Sequence, residues 1–76
     1  MTVLERIKKV LNRELERNFD NVDMDTTFED LQLDSLDLLE LIMAMEEEFD
    51  IEISEEDADN MKCIGDAVQY VEEKID

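Results

Sequence analysis

The sequence contains no histidine, no proline and no tryptophan, and only one glycine and one cysteine. Without histidine the chain lacks the commonest general base and the commonest metal ligand. A lone Cys63 excludes an internal disulfide and any site built from several cysteines. One thiol also fits a reducing compartment. The absence of proline, with Gly65 as the only glycine, argues against a sheet protein punctuated by tight turns and against a flexible linker. Long hydrophobic runs are missing too. The longest is Leu41–Met45, far short of the roughly 20 apolar residues of a membrane span. The opening Met1-Thr2-Val3-Leu4-Glu5-Arg6 reaches charge before an apolar stretch develops, unlike a secretory signal. A soluble, cytoplasmic protein is expected.

Positive charge is missing from the middle of the chain. There are 24 acidic and 7 basic residues, for a net charge of −17. The bases are Arg6, Lys8, Lys9, Arg13, Arg17, Lys62 and Lys74, so residues 18–61 hold none. The two ends are neutral between them, and the whole negative excess belongs to the middle. Nucleic acid is excluded as a partner because phosphates need cationic contacts. Insertion at an anionic membrane surface is excluded for the same reason. Partners with basic patches are expected, steered by the field and weakened by salt.

What the chain does have is helical periodicity. Its 76 residues suit one domain, 1–76. A domain of this size buries only about 60% of its unfolded surface, so efficient helix packing is needed. The first helix is expected from Val3 to about Arg17, capped by Thr2 with Glu5 completing a capping box. Its stripe is Leu4, Ile7, Leu11 and Leu15, flanked by Val3 and Val10. Residues 18–33 form a long loop tied to the core by Phe28, Leu31 and Leu33. The second helix starts at Asp34-Ser35, with Asp34 as N-cap, and ends near Phe49-Asp50. A short helix follows the cap Ser54. The last runs from about Ile64 to Ile75, with Ile64, Ala67, Val68, Val71 and Ile75 on the buried face. The expected fold is all-α, a bundle of three main helices and one short one.

At 100° per residue the second helix has two apolar stripes. Leu38, Leu41, Ile42, Met45 and Phe49 form the core face. Leu36, Leu39 and Met43 point the other way, among Asp37, Glu40, Glu46 and Glu47. Scattered exposed apolar residues are ordinary, but three in line within an acidic rim suit a transient protein-binding surface. Ser35 stands at the start of this helix, where unpaired N–H groups and the positive dipole end tolerate a phosphate ester. Asp34-Ser35 taken alone reads better as a mere cap.

The stretch Phe28-Glu29-Asp30-Leu31-Gln32-Leu33-Asp34-Ser35-Leu36-Asp37 closely resembles the prosthetic-group site of the acyl carrier protein family. Residues 39–53 resemble that family's second helix and its exit, and residues 64–71 its last helix. The resemblance implies an acyl-carrier-like bundle whose modified serine is Ser35. That serine would receive 4′-phosphopantetheine from coenzyme A through a phosphopantetheinyl transferase. Acyl chains would ride as thioesters on the arm, sheltered between helices and presented to fatty-acid synthesis enzymes. The carrier itself does no catalysis, and a monomer is expected. Family docking positions fall on Asp34, Leu36, Asp37, Leu39, Glu40, Met43, Glu46 and Glu47. Two positions depart from the family pattern. Gln32 stands where glycine is usual, and Cys63 stands where threonine is common.

Other readings are a carrier of the same fold in polyketide, peptide or aminoacyl transfer, and an acidic helical adaptor or divalent-cation binder without a prosthetic group. An EF-hand at Asp23-x-Asp25-x-Thr27 fails, because Phe28 occupies the glycine position and Asp34 the place of the closing glutamate. The run Glu46-Glu47-Glu48 leaves weak divalent binding open. A carboxylate-pair hydrolase lacks room for a substrate cleft.

Overall fold

The computed structural model describes residues 2–16 and 21–75. Four helices follow in order: α1 (Val3–Leu15), α2 (Ser35–Phe49), α3 (Glu55–Asn60) and α4 (Ile64–Ile75). Among the described residues there is no strand, only an isolated bridge between Thr27 and Cys63. The expected all-α bundle of three longer helices and one short one is present.

Helices α1, α2 and α3 each start at a side chain that accepts an N–H of the first turn. Thr2 Oγ1 accepts from Glu5 N at 3.1 Å, and Glu5 Oε1 accepts from Thr2 N at 3.2 Å, a complete capping box. The Thr2 backbone N–H, and then its hydroxyl, hold the Glu5 carboxyl below the usual carboxylate range. Asp34 and Ser54 cap α2 and α3 by accepting from Asp37 N and Asp57 N. α1 closes sooner than the periodicity suggests: it ends at Leu15, where Glu16 turns left-handed with φ 51°. Arg17, the expected end, lies outside the described residues, as do residues 18–20 of the loop.

α1 packs on both α2 and α4. Ile7, Val10 and Leu11 meet Leu41, Ile42, Ala44, Met45 and Phe49 of α2 and Ile64, Ala67, Val68 and Val71 of α4 in one core. Phe28 is buried, and Leu31 and Leu33 pack partly against the same core, as their spacing implies. Ile75 is a correction. The spacing predicts it on the buried face of α4, but it is 47% exposed. Periodicity gives the direction of a side chain, not whether a neighbouring helix reaches as far as the last turn.

Arg6 joins α1 to the end of α2. Its Nε donates to Glu48 Oε2 at 3.1 Å and its Nη2 to the Glu48 carbonyl at 3.0 Å. The guanidinium lies 4.4 Å from the Phe49 ring centroid. α2 has no basic residue in its own last turn, so α1 supplies the cation that its negative end favours.

The loop before α2 is sewn to the start of α4. Ile64 N donates to the Thr26 carbonyl and Gly65 N to the Met24 carbonyl, both at 2.8 Å, while Phe28 N donates to the Lys62 carbonyl at 3.1 Å. These bonds satisfy N–H groups that a helix start leaves without partners. They also explain the one glycine. A methyl group on Gly65 would sit 2.7 Å from the Met24 carbonyl oxygen. In an open helix Gly→Ala gains up to about 1 kcal/mol of helix propensity. Here the clash should reverse the sign, so Gly65→Ala is expected to lose about 1–2 kcal/mol net. Urea denaturation reads this as a lower midpoint. A raised midpoint would show that the loop retreats freely.

Candidate functional site

The start of α2 is held by a short helical turn and its left-handed cap. Leu31 N donates to the Thr27 carbonyl at 3.3 Å, Gln32 N to Glu29 at 2.9 Å and Leu33 N to Phe28 at 3.3 Å. The last two bonds form a Schellman pair, which places Gln32 at the position glycine usually takes. Gln32 has φ 57°, in the left-handed region. The turn therefore keeps its geometry without glycine, at a conformational cost. Its C-terminal side leads through Leu33, packed on the core, to the cap Asp34.

Earlier in the loop, the Asp23 carboxylate accepts from Asp25 N, Thr26 N and the Thr26 hydroxyl. It closes its own turn, and Phe28 is buried, so the loop is a core-anchored turn rather than a cation loop.

Ser35 is the first residue of α2 and is exposed. Asp34 beside it is exposed and receives the Asp37 N–H at 2.8 Å. The outward stripe is real: Leu36, Leu39 and Met43 are 62%, 53% and 57% exposed. Glu40 and Glu47 are exposed around it.

Glu46 behaves differently from these acids. Its Oε2 accepts from Ile53 N at 3.0 Å, and its carbonyl receives the Asp50 and Ile51 N–H groups. Glu46 thus fixes the exit of α2 as well as bordering its surface. Glu48 turns away to Arg6, so Glu46-Glu47-Glu48 do not act as one carboxylate cluster. Among the described residues no three acidic or thiol groups converge in an arrangement that could hold a metal ion.

A groove of about 550 Å³ opens at Ser35 and runs along α2 to Glu46. Its floor is Leu38, Leu39, Ile42 and Met43, and its far wall is Ile53, Ser54, Glu55, Ala58 and Asp59. Leu39 and Met43 therefore belong to both the outward strip and the groove rim. The periodicity of α2 does not reveal the far wall. A signal was available around α3: Ile53 precedes the cap Ser54 and Ala58 follows at the fourth helical position, the pattern of a hydrophobic staple.

Three comparisons bear on this site. A family profile described as "Phosphopantetheine attachment site" matches residues 2–71. Acyl carrier proteins from three strains of Clostridium perfringens are each 44% identical over 72 residues, spanning 93% of this chain and 95% of theirs. The crystal structure of an acyl carrier protein from Thermotoga maritima superposes with a TM-score of 0.89 at 25% identity, over 96% of this chain and 86% of that one.

The left-handed Gln32 gives a stability test. A non-glycine residue in this region carries a strain of about 1–2 kcal/mol, partly offset by glycine's larger unfolded-state entropy. Gln32→Gly should therefore gain roughly 0.5–1 kcal/mol, or several degrees in Tm. Thermal unfolding checks this, and an unchanged or lower Tm would contradict the strain.

Proposed function

The chain belongs to the acyl carrier protein family, and from that premise we propose that Ser35 is esterified by 4′-phosphopantetheine and that the protein presents acyl chains to the cytoplasmic enzymes of fatty-acid synthesis. The observation that carries this reading is an exposed serine at the first position of α2, opening onto an apolar groove. When bound, the group supplies a terminal thiol that holds acyl cargo as a thioester.

The residues present fit such a group. The Ser35 hydroxyl is open to an incoming transferase, and the first turn of α2 offers N–H groups without intrahelical partners to a phosphate oxygen. Asp34 and Asp37 stand close by and disfavour an anion. The dipole effect, about 0.3–1 kcal/mol, is too small to hold a free phosphate in this field. A covalent ester removes that need, because the site has only to tolerate the phosphate. Leu38, Leu39, Ile42 and Met43 offer an apolar floor to cargo.

A carrier role also fits the chemistry the chain lacks. There is no histidine, and among the described residues every buried side chain is apolar. Docking is assigned to Leu36, Leu39 and Met43 as the apolar centre, with Asp34, Asp37, Glu40 and Glu47 as an acidic rim for basic patches on partner enzymes. Glu46 adds charge to that rim while holding Ile53.

Incubation with coenzyme A and a broad-specificity phosphopantetheinyl transferase should raise the intact mass by one phosphopantetheine, and Ser35→Ala should abolish the gain. No gain from the wild-type chain with an active transferase would falsify the assignment. The rim gives a second test. Glu40 is exposed with its charge in a crowded acidic field, so Glu40→Lys should leave stability within about 0.5 kcal/mol while slowing transferase modification by about tenfold at low salt. Glu46→Lys should lower Tm as well, since it removes the acceptor of Ile53 N. Unfolding by Glu40→Lys would overturn the surface assignment.

A further inference from the structure

The far wall of the groove is poorly anchored by apolar packing. Among the described residues α3 has no buried side chain. The wall is pinned at its ends by Ile53 and Met61, which are buried, and Ala58 packs only partly against the core. Two polar contacts complete its attachment. Glu46 reaches it from α2 through Ile53 N at 3.0 Å. Tyr70 reaches it from α4 on the opposite side, where its hydroxyl lies 2.8 Å from Asp57 Oδ2 and 3.3 Å from the Glu52 carbonyl. A phenol has one proton, so the shorter contact to Asp57 is the principal bond and Glu52 shares it.

We propose that Tyr70 is a positioning residue for the cargo groove, its hydroxyl acting as a latch that holds residues 52–59 across from α2 and so sets how readily the groove opens. The cargo itself rests on the carrier reading, whereas the latch rests on geometry alone. The ring supports the latch in place: Lys74 Nζ lies 5.4 Å from its centroid. The proton is firmly held, because burial, and then the bond to Asp57, push the Tyr70 pKa up to about 12. The bond therefore persists across the physiological range. α3 itself buries no side chain, so between its buried flanks Ile53 and Met61 the wall is held by polar contacts and can loosen without unpacking α1, α2 and α4. That is what a groove needs if its contents must leave repeatedly.

The experiment compares the full chain with Tyr70→Phe, which keeps the ring and removes the hydroxyl, and with Asp57→Asn, which keeps an acceptor. Amide hydrogen exchange on the unmodified proteins tests the latch independently of Ser35. In Tyr70→Phe, residues 55–60 should exchange roughly five- to tenfold faster, the size expected for one lost hydrogen bond, while Ile7 and Leu41 should change less. Asp57→Asn should stay within about threefold of wild type at residues 55–60. Loading with an octanoyl thioester then tests the consequence, with hydroxylamine cleavage expected to accelerate in Tyr70→Phe by a similar factor. Unchanged exchange at 55–60, or equal acceleration in all helices, would overturn the latch. Faster exchange with unchanged thioester cleavage would overturn its role in sheltering cargo.

Discussion

A net charge of −17 on 76 residues sets the conditions under which this chain folds. Two like charges 10 Å apart repel by about 0.4 kcal/mol in water before salt screens them, and residues 18–61 carry 17 acids and no base. Any charge taken inside would add a desolvation penalty to that repulsion. Among the described residues the core accordingly contains only apolar side chains. Many acids instead have local duties at the surface. Asp34 caps a helix, Asp23 closes a turn, and Asp66 Oδ2 accepts from Lys62 N just before α4. Arg6 is valuable because cations are scarce: it meets a carboxylate, an unpaired carbonyl and an aromatic ring at one end of α2.

The same constraint shapes the start of α2. The proposed attachment serine has to be exposed, fixed in direction and surrounded by acids that partners can read. Fixing it is the task of the loop, whose carbonyls are tied to α4 and whose last turn is closed by the Gln32 cap. Strain at Gln32 is thus the local cost of aiming Asp34-Ser35 outward. Stability and the proposed presentation of Ser35 meet in one residue, Gln32.

Much of this was legible in the sequence, and what was legible is local. The capping box of Thr2 and Glu5, the caps Asp34 and Ser54, and the two faces of α2 depend on residues within a turn or two of one another. The long-range contacts were not legible. Nothing in local spacing pairs Arg6 with Glu48 or Tyr70 with Asp57, because those pairs exist only after helices have packed. Ile75 failed for a related reason, since burial needs a neighbour and periodicity knows only one helix. Glu46 was assigned to the surface by its angle on α2, yet its carboxylate is drawn to Ile53 N beyond the helix end. Gln32 lies between: its identity flagged a departure from the family pattern, while its positive φ required coordinates.

α2 is the element on which the proposed docking and sheltering converge. Its core face binds α1, its outward stripe is the proposed docking surface, and between the two runs the groove floor. Leu39 and Met43 are counted twice, once in the strip and once at the groove rim. A partner docked on the proposed strip would therefore also touch the rim of the proposed cargo groove. The opposite wall, α3, is the least anchored helix of the four. In the proposed carrier, floor and wall divide the work: α2, packed in the core, keeps the strip in register, and α3, which buries no side chain, is the part free to give way. In that proposed scheme, opening falls to the helix that buries no side chain and recognition to the helix packed in the core. The alternative arrangement, a mobile α2 facing a fixed α3, would couple every release of cargo to a loss of the docking surface and to unpacking of Leu41 and Met45 from the core.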